Sequence, residues 1–216
     1  MPIVCTSLDI PQSAASPSFR IQEPCLLLVE GNDDQRVFEQ LAIQHPLLSL
    51  QIIDMHGNSD WTAKVAGLAS APEFQSVTVL GLVRDADSLP ISATDSIRGA
   101  LLNSALPTPP SELVPATNGR LTTIFLILPD DGRAGKLETI VLESLPDDQR
   151  TCLEEYFACH DRLSARTRDE EKARLQAWLA ALDGPCRNIA MAAARQKLSL
   201  ASPAFDRCRA LVRYFQ

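Results

Sequence analysis

"LLLVEGNDDQ", residues 26–35, opens as an unbroken apolar run and changes character at Glu30. With Cys25 before it, the run reads as a strand covered on both faces. It then ends on a glutamate, a glycine and, after Asn32, the pair Asp33 and Asp34. Two readings compete. Either a turn leads into a helix whose first residues happen to be acidic, or the strand delivers a site that holds positive charge.

Three more apolar runs lie downstream: "LQII" at 50–53, "VTVLGLV" at 77–83 and "LTTIFLIL" at 121–128. Helical periodicity separates them. Val37, Phe38, Leu41 and Ala42 make one stripe, with Asn32 and Gln35 forming a capping box at its start. Trp61, Val65 and Leu68 make a second stripe; Ile97, Leu101 and Leu102 make a third. Strand–helix alternation predicts βαβ units with right-handed crossovers and a parallel sheet. A Pro-rich stretch at 106–119 reads as a loop, and the chain reads as helical from Lys136 onward. Ser202 and Pro203 mark the start of the last helix. The organisation expected is a loose tail over 1–24 and one domain over 25–216, with an α/β core at 25–145 and a helical extension at 146–216.

Composition excludes several classes. Hydrophobic residues make up 45% of the 216-residue chain and charged residues 22%, which is ordinary for a globular protein. The net charge of −7 argues against a module that grips nucleic acid by electrostatics alone. The six cysteines contain no Cys-x-x-Cys, and three histidines leave no zinc-finger spacing. They read as reduced, packed thiols of a cytoplasmic protein. No run approaches the ~20 apolar residues needed to span a bilayer.

In open α/β sheets, ligands bind beyond the carboxyl ends of the strands. Glu30 closes the first run, and "VTVLGLVRDAD" ends in Asp85 and Asp87. Residues i and i+2 of a strand share a side, so these two aspartates are expected to face one way. Glu30 joins them if the first and third runs are neighbours. Two unit charges ~4 Å apart repel by roughly 4 kcal/mol near a protein surface. A raised pKa relieves such repulsion, and so does a divalent cation. Oxygen ligands of this kind suit Mg²⁺ or Mn²⁺ better than zinc. Against this stands the reading in which each acid is a cap, a macrodipole partner or a solvated loop residue.

Glu30–Gly31 closing a strand, Asp34 four residues past the glutamate, and Asp85-Ala86-Asp87 closing a later strand resemble the TOPRIM pattern. Topoisomerases, bacterial primases and nucleases of the OLD (overcoming lysogenisation defect) type share it. "LPDDGRAGKLETIVLESL" at 128–145 and "EEKARLQAWLAALDGP" at 170–185 resemble stretches of a family of uncharacterised TOPRIM-like bacterial proteins. The resemblance implies a TOPRIM-like, Rossmann-like parallel-sheet core with helices on both faces and a helical C-terminal third. It implies Mg²⁺ (or Mn²⁺) held by Asp85 and Asp87, with Glu30 as a further ligand or as general acid/base. Asp34 would support the turn or the outer shell of the metal, and Glu138 would complete a second metal site. Lys136 and Lys172 would touch phosphate, against the plainer reading of lysines on wet helix faces.

Some features of the wider superfamily are missing. The two tyrosines, Tyr156 and Tyr214, lie in helical segments, and the sequence contains no P-loop. Two classes therefore stay open. One is a Mg²⁺-dependent nuclease or other phosphoryl-transfer enzyme acting on nucleic acid. The other is a non-catalytic accessory protein working beside a separate ATPase partner.

Overall fold

In the computed structural model, which describes residues 3–8, 20–45, 49–130, 132–161 and 169–216, the chain alternates strands and helices. The elements run β1 (Ile3–Ser7), β2 (Cys25–Val29), α1 (Asn32–Ile43), β3 (Leu50–Asp54), α2 (Trp61–Ala69), β4 (Val79–Asp85) and α3 (Pro90–Asn103). Then follow β5 (Ala116–Asn118), β6 (Leu121–Leu128), α4 (Leu137–Glu143), α5 (Asp147–Asp161), α6 (Glu170–Ala181), α7 (Ile189–Ala194) and α8 (Asp206–Val212). The strands form one six-stranded sheet in the order β1-β3-β2-β4-β6-β5, parallel except at the short β5–β6 pair. This is the α/β architecture expected, with helices on both faces.

Each central strand divides its side chains between two cores, because alternate residues point to opposite faces. Leu27 and Val29 of β2, Val83 of β4 and Ile124 and Leu126 of β6 pack with α1, α4, α6, α7 and α8. Leu26 and Leu28, Leu80 and Leu82, and Phe125 and Ile127 pack with α2 and α3 on the other face. The C-terminal helices thus complete the main core. Phe215 lies on Gly81 of β4, where a Cβ would come within 2.5 Å of its ring.

Four expectations are corrected. Residues 3–7 are not part of a loose tail but the edge strand β1, in parallel register with β3 from Ile3↔Leu50 to Ser7↔Asp54. Residues 1–2 and 9–19 of that segment lie outside the described residues. β1 is held by side chains as well as by its ladder: the Gln35 amide donates to the Thr6 carbonyl at 2.7 Å and to the Ile52 carbonyl at 2.9 Å. Gln51, fully buried in β3, donates to the Thr6 hydroxyl and the Arg20 carbonyl and accepts from the Gln22 amide. Gln35 is therefore engaged in the sheet, not in a capping box with Asn32. The Pro-rich loop also contains β5, which runs antiparallel to the start of β6. Finally, the third run enters the sheet at Val79, not at Val77.

Candidate functional site

β2 and β4 are parallel neighbours, with Leu28 opposite Leu82, so the residues that leave their carboxyl ends meet. A cavity of about 380 Å³ opens there, lined by Glu30, Gly31, Asn32, Asp33, Asp34, Gly57, Asp85, Leu137, Glu138 and Asn188. Gly31 is the extended residue before α1, and its N–H donates to Asp34 Oδ2 at 3.1 Å. Asp34 so satisfies one of the orphan groups at the helix start. The other oxygen of the same carboxyl, Oδ1, is buried and has no hydrogen-bond partner among the described residues, and the residue is only 6% exposed. Asp33 lines the same cavity, and its Oδ1 accepts the Ala190 N–H at 2.8 Å, which ties α1 to the first turn of α7.

Asp85 ends β4, and its Oδ1 accepts the Leu137 N–H at 3.1 Å at the start of α4. The next residue, Glu138, projects into the same cavity. Burial pushes the Asp34 carboxyl up to about 8, and the Glu30 and Glu138 charges add to the rise while the Gly31 N–H opposes it. Asp85 is raised well above the ordinary carboxylate range, first by burial and then by Asp34, Glu30, Glu138 and Asp87. Burial likewise raises Glu138, which Lys136 partly offsets. Asp34, Asp85, Glu30 and Glu138 therefore form one repelling group.

Glu30 belongs to the pocket by a different route. It follows the last residue of β2, and its partner is Arg84, a β4 residue on the α2/α3 side, at 3.8 Å. Its Oε2 also accepts the Asp85 N–H at 3.3 Å, across the sheet edge. Burial raises Glu30; the Asp85 N–H, Arg84 and Lys64 pull it back, and Asp87 pushes it up.

Asp87 is not where strand alternation would put it. β4 ends at Asp85, and Asp87 has left the strand with φ +50°, in the left-handed region. It is exposed, takes a hydrogen bond from the Asn58 amide at 3.2 Å, and does not line the cavity. Strand parity thus fails for Asp85 and Asp87. Among the described residues, no three His, Cys, Asp or Glu side chains stand ready to hold a metal ion. The donor set fits a hard cation in kind, with five carboxylates around one cavity and a buried acceptor on Asp34 that has no partner among the described residues. It is not assembled around one point.

The fold and the acidic pocket are accompanied by a match over residues 24–216 to one family, described as "Protein of unknown function (DUF3226)". The chain belongs to that family. No curated protein and no solved structure matches it. The family match takes in β2 through α8, and so every carboxylate of the pocket, while β1 lies before it.

Six basic residues divide into two sets by their distance from the pocket. Arg84, Lys64, Lys136 and Lys172 lie near pocket carboxylates. Lys64 is 7% exposed and its ammonium donates to the Met55 and Gly57 carbonyls. Lys136 Nζ is 2.9 Å from Asp169 and 4.0 Å from Glu138. Lys172 is exposed on the first turn of α6, where its charge is felt by Asp33. Arg133 is taken up by Asp130 and Glu143, and Arg120 sits on the β5–β6 turn, at the opposite end of the sheet. Sequence reasoning passed over Asp33, Gly57 and Asn188 as parts of the site. Asp33 sits beside a residue already singled out, but its partner Ala190 is 157 residues away.

Proposed function

We propose that the acidic pocket binds Mg²⁺ or Mn²⁺ and that the protein is a cytoplasmic phosphoryl-transfer enzyme that cleaves nucleic acid. The observation that carries the reading is the buried, unpartnered Oδ1 of Asp34 in a cavity shared with Asp85 and Glu138. A buried acceptor without a donor is costly unless a proton or a cation meets it. The resemblance of Glu30, Asp34 and Asp85 to the TOPRIM pattern adds support. In this reading Asp34, Asp85 and Glu138 hold the ion, Glu30 serves as ligand or general acid/base, and Asp87 acts from outside through its charge. Lys136, 4.0 Å from Glu138, and Lys172, whose charge acts on Asp33, would meet an entering phosphate. The bound ion would polarise the scissile phosphate and lower the pKa of an attacking water.

A second reading has its own observation. Arg84 and Lys136 are already paired with carboxylates, and no carboxylate trio is assembled among the described residues. These features favour an accessory protein that keeps the fold without turnover and works with a separate ATPase. A nuclease assay separates the two, using linear, nicked and single-stranded substrates with Mg²⁺ or Mn²⁺. The enzyme reading expects metal-dependent cleavage that is lost in Asp85→Ala and Asp85→Asn, with both variants folded by thermal melting. No cleavage of any substrate, with or without an ATPase partner, would leave the accessory reading in possession.

A further inference from the structure

Glu30 and Arg84 make an unusual contact. Their charged atoms are 3.8 Å apart, inside ion-pair range but beyond hydrogen-bond reach. Both side chains are largely buried, at 17% and 13% exposure, and the Arg84 Nε–H has no acceptor among the described residues. A guanidinium normally meets a carboxylate through one or two direct N–H···O bonds. Here the bond to Glu30 Oε2 comes from the Asp85 N–H. Charge alone keeps Glu30 and Arg84 together. The other buried cation on this side, Lys64, is spent on the Met55 and Gly57 carbonyls.

The consequence follows from the alternation of the strands. Arg84 precedes Asp85 on β4, so the two point to opposite faces of the sheet. Arg84 draws Glu30 toward the α2/α3 face, whereas the Asp85 carboxyl turns toward α4, where it meets the Leu137 N–H. Glu30 thus reaches Asp34 and Asp85 through its charge, while its Oε2 stays with Arg84 and the Asp85 N–H. This gives a physical reason why no three acids converge among the described residues.

We infer that Arg84 is a positioning residue that holds Glu30 off the cation site, so that Glu30 joins Asp34 and Asp85 around an ion only after leaving Arg84. The inference rests on the cation-binding reading of the pocket. The contact suits such a role, because breaking it costs no hydrogen bond between the two side chains. An ion entering the pocket competes with Arg84 for the same carboxylate, and the affinity for the ion is lowered by the strength of the Arg84 contact.

Mn²⁺ binding, measured by calorimetry and by the loss of the free-ion electron paramagnetic resonance signal, tests this through a double-mutant cycle. Arg84→Met is expected to tighten Mn²⁺ binding by about tenfold, the opposite of what a general loosening of the site would produce. Arg84→Lys keeps the charge and should stay near wild type. In a Glu30→Gln background the Arg84→Met gain should vanish, because the carboxylate that Arg84 restrains is gone. Should Arg84→Met not fold, Arg84→Gln takes its place. A folded Arg84 variant that binds Mn²⁺ no better than wild type overturns the inference while leaving the pocket's cation reading intact. So does a gain that persists undiminished in Glu30→Gln, which would show only the loss of a nearby positive field. If wild type and all variants ignore Mn²⁺, the cation reading falls, and this one with it.

Discussion

The Asp33 carboxylate accepts the Ala190 N–H at 2.8 Å and so caps a helix that is not its own. The first turn of α1 carries two aspartates with separate duties: Asp34 closes its own helix, and Asp33 holds the start of α7 beside the pocket. Asn188, which precedes α7, lines the cavity, and its side chain takes the Met191 N–H at 3.0 Å. Replacing Asp33 by alanine should cost about 1–2 kcal/mol, the usual range for a lost cap. Urea unfolding measures the loss. Hydrogen exchange should locate it, with faster exchange at Ala190 than in α8. Unchanged exchange at Ala190 would mean that this bond does not secure α7.

Gly81 sits in the central strand β4 because Phe215 occupies the space a side chain would need. A Cβ there would lie 2.5 Å from Phe215 Cζ and 3.0 Å from Leu27 Cδ1. Phe215 is itself fully buried, so its ring has little room to move. Gly81→Ala is expected to destabilise by about 1–3 kcal/mol, the range for overpacking. Phe215→Leu in the same chain should recover part of that loss. If the double variant is as unstable as the sum of the two singles, the contact is not the reason for the glycine.

The sheet was legible where burial was two-sided and local. Continuous runs such as "CLLLV" and "LTTIFLIL" need cover on both faces, and the crossovers between them put β2 and β4 side by side, which brought Glu30 and Asp85 to one edge. β1 was not legible. Its five residues "IVCTS" include only three apolar ones, and they are secured by Gln35 and Gln51, polar residues whose partners lie 29 to 45 positions away. Asp87 was misplaced for a different reason. Alternation holds only inside a strand, and β4 ends two residues too early for Asp87 to share the orientation of Asp85.

The acidic pocket should make the metal-free protein less stable as pH rises. Asp34 has its folded pKa raised from 3.8 to about 8. Between those values the folded state holds a proton that the unfolded state has lost. Stability from this group is therefore complete below the unfolded pKa and declines as pH climbs through 4 toward 8. Asp34→Asn removes the titration but keeps an acceptor for the Gly31 N–H. Its melting temperature should vary less with pH than that of wild type, and the variant should be the more stable of the two above pH 8. An Asp34→Asn variant that tracks wild type across the whole range would show that the buried carboxyl is ionised at little cost.

Asp85 and Asp87 look equivalent in "RDAD", yet the structure gives them unequal positions. Asp85 is part of the pocket wall and is pinned by the Leu137 N–H; Asp87 is exposed and reaches Asn58 instead. Asp87 acts on Glu30 and Asp85 only through its charge. An exposed charge contributes up to about 1 kcal/mol, so Asp87→Ala should change Mn²⁺ affinity by less than about fivefold. Asp85→Ala removes a wall carboxylate and the capping of α4, and its loss should be tenfold to a hundredfold or more, roughly the scale seen when supports of a metal site are cut. Calorimetry on the two folded variants compares them directly. Equal losses would place Asp87 at the ion, and would mean that the loop after β4 rearranges on binding to restore the partnership its sequence suggests.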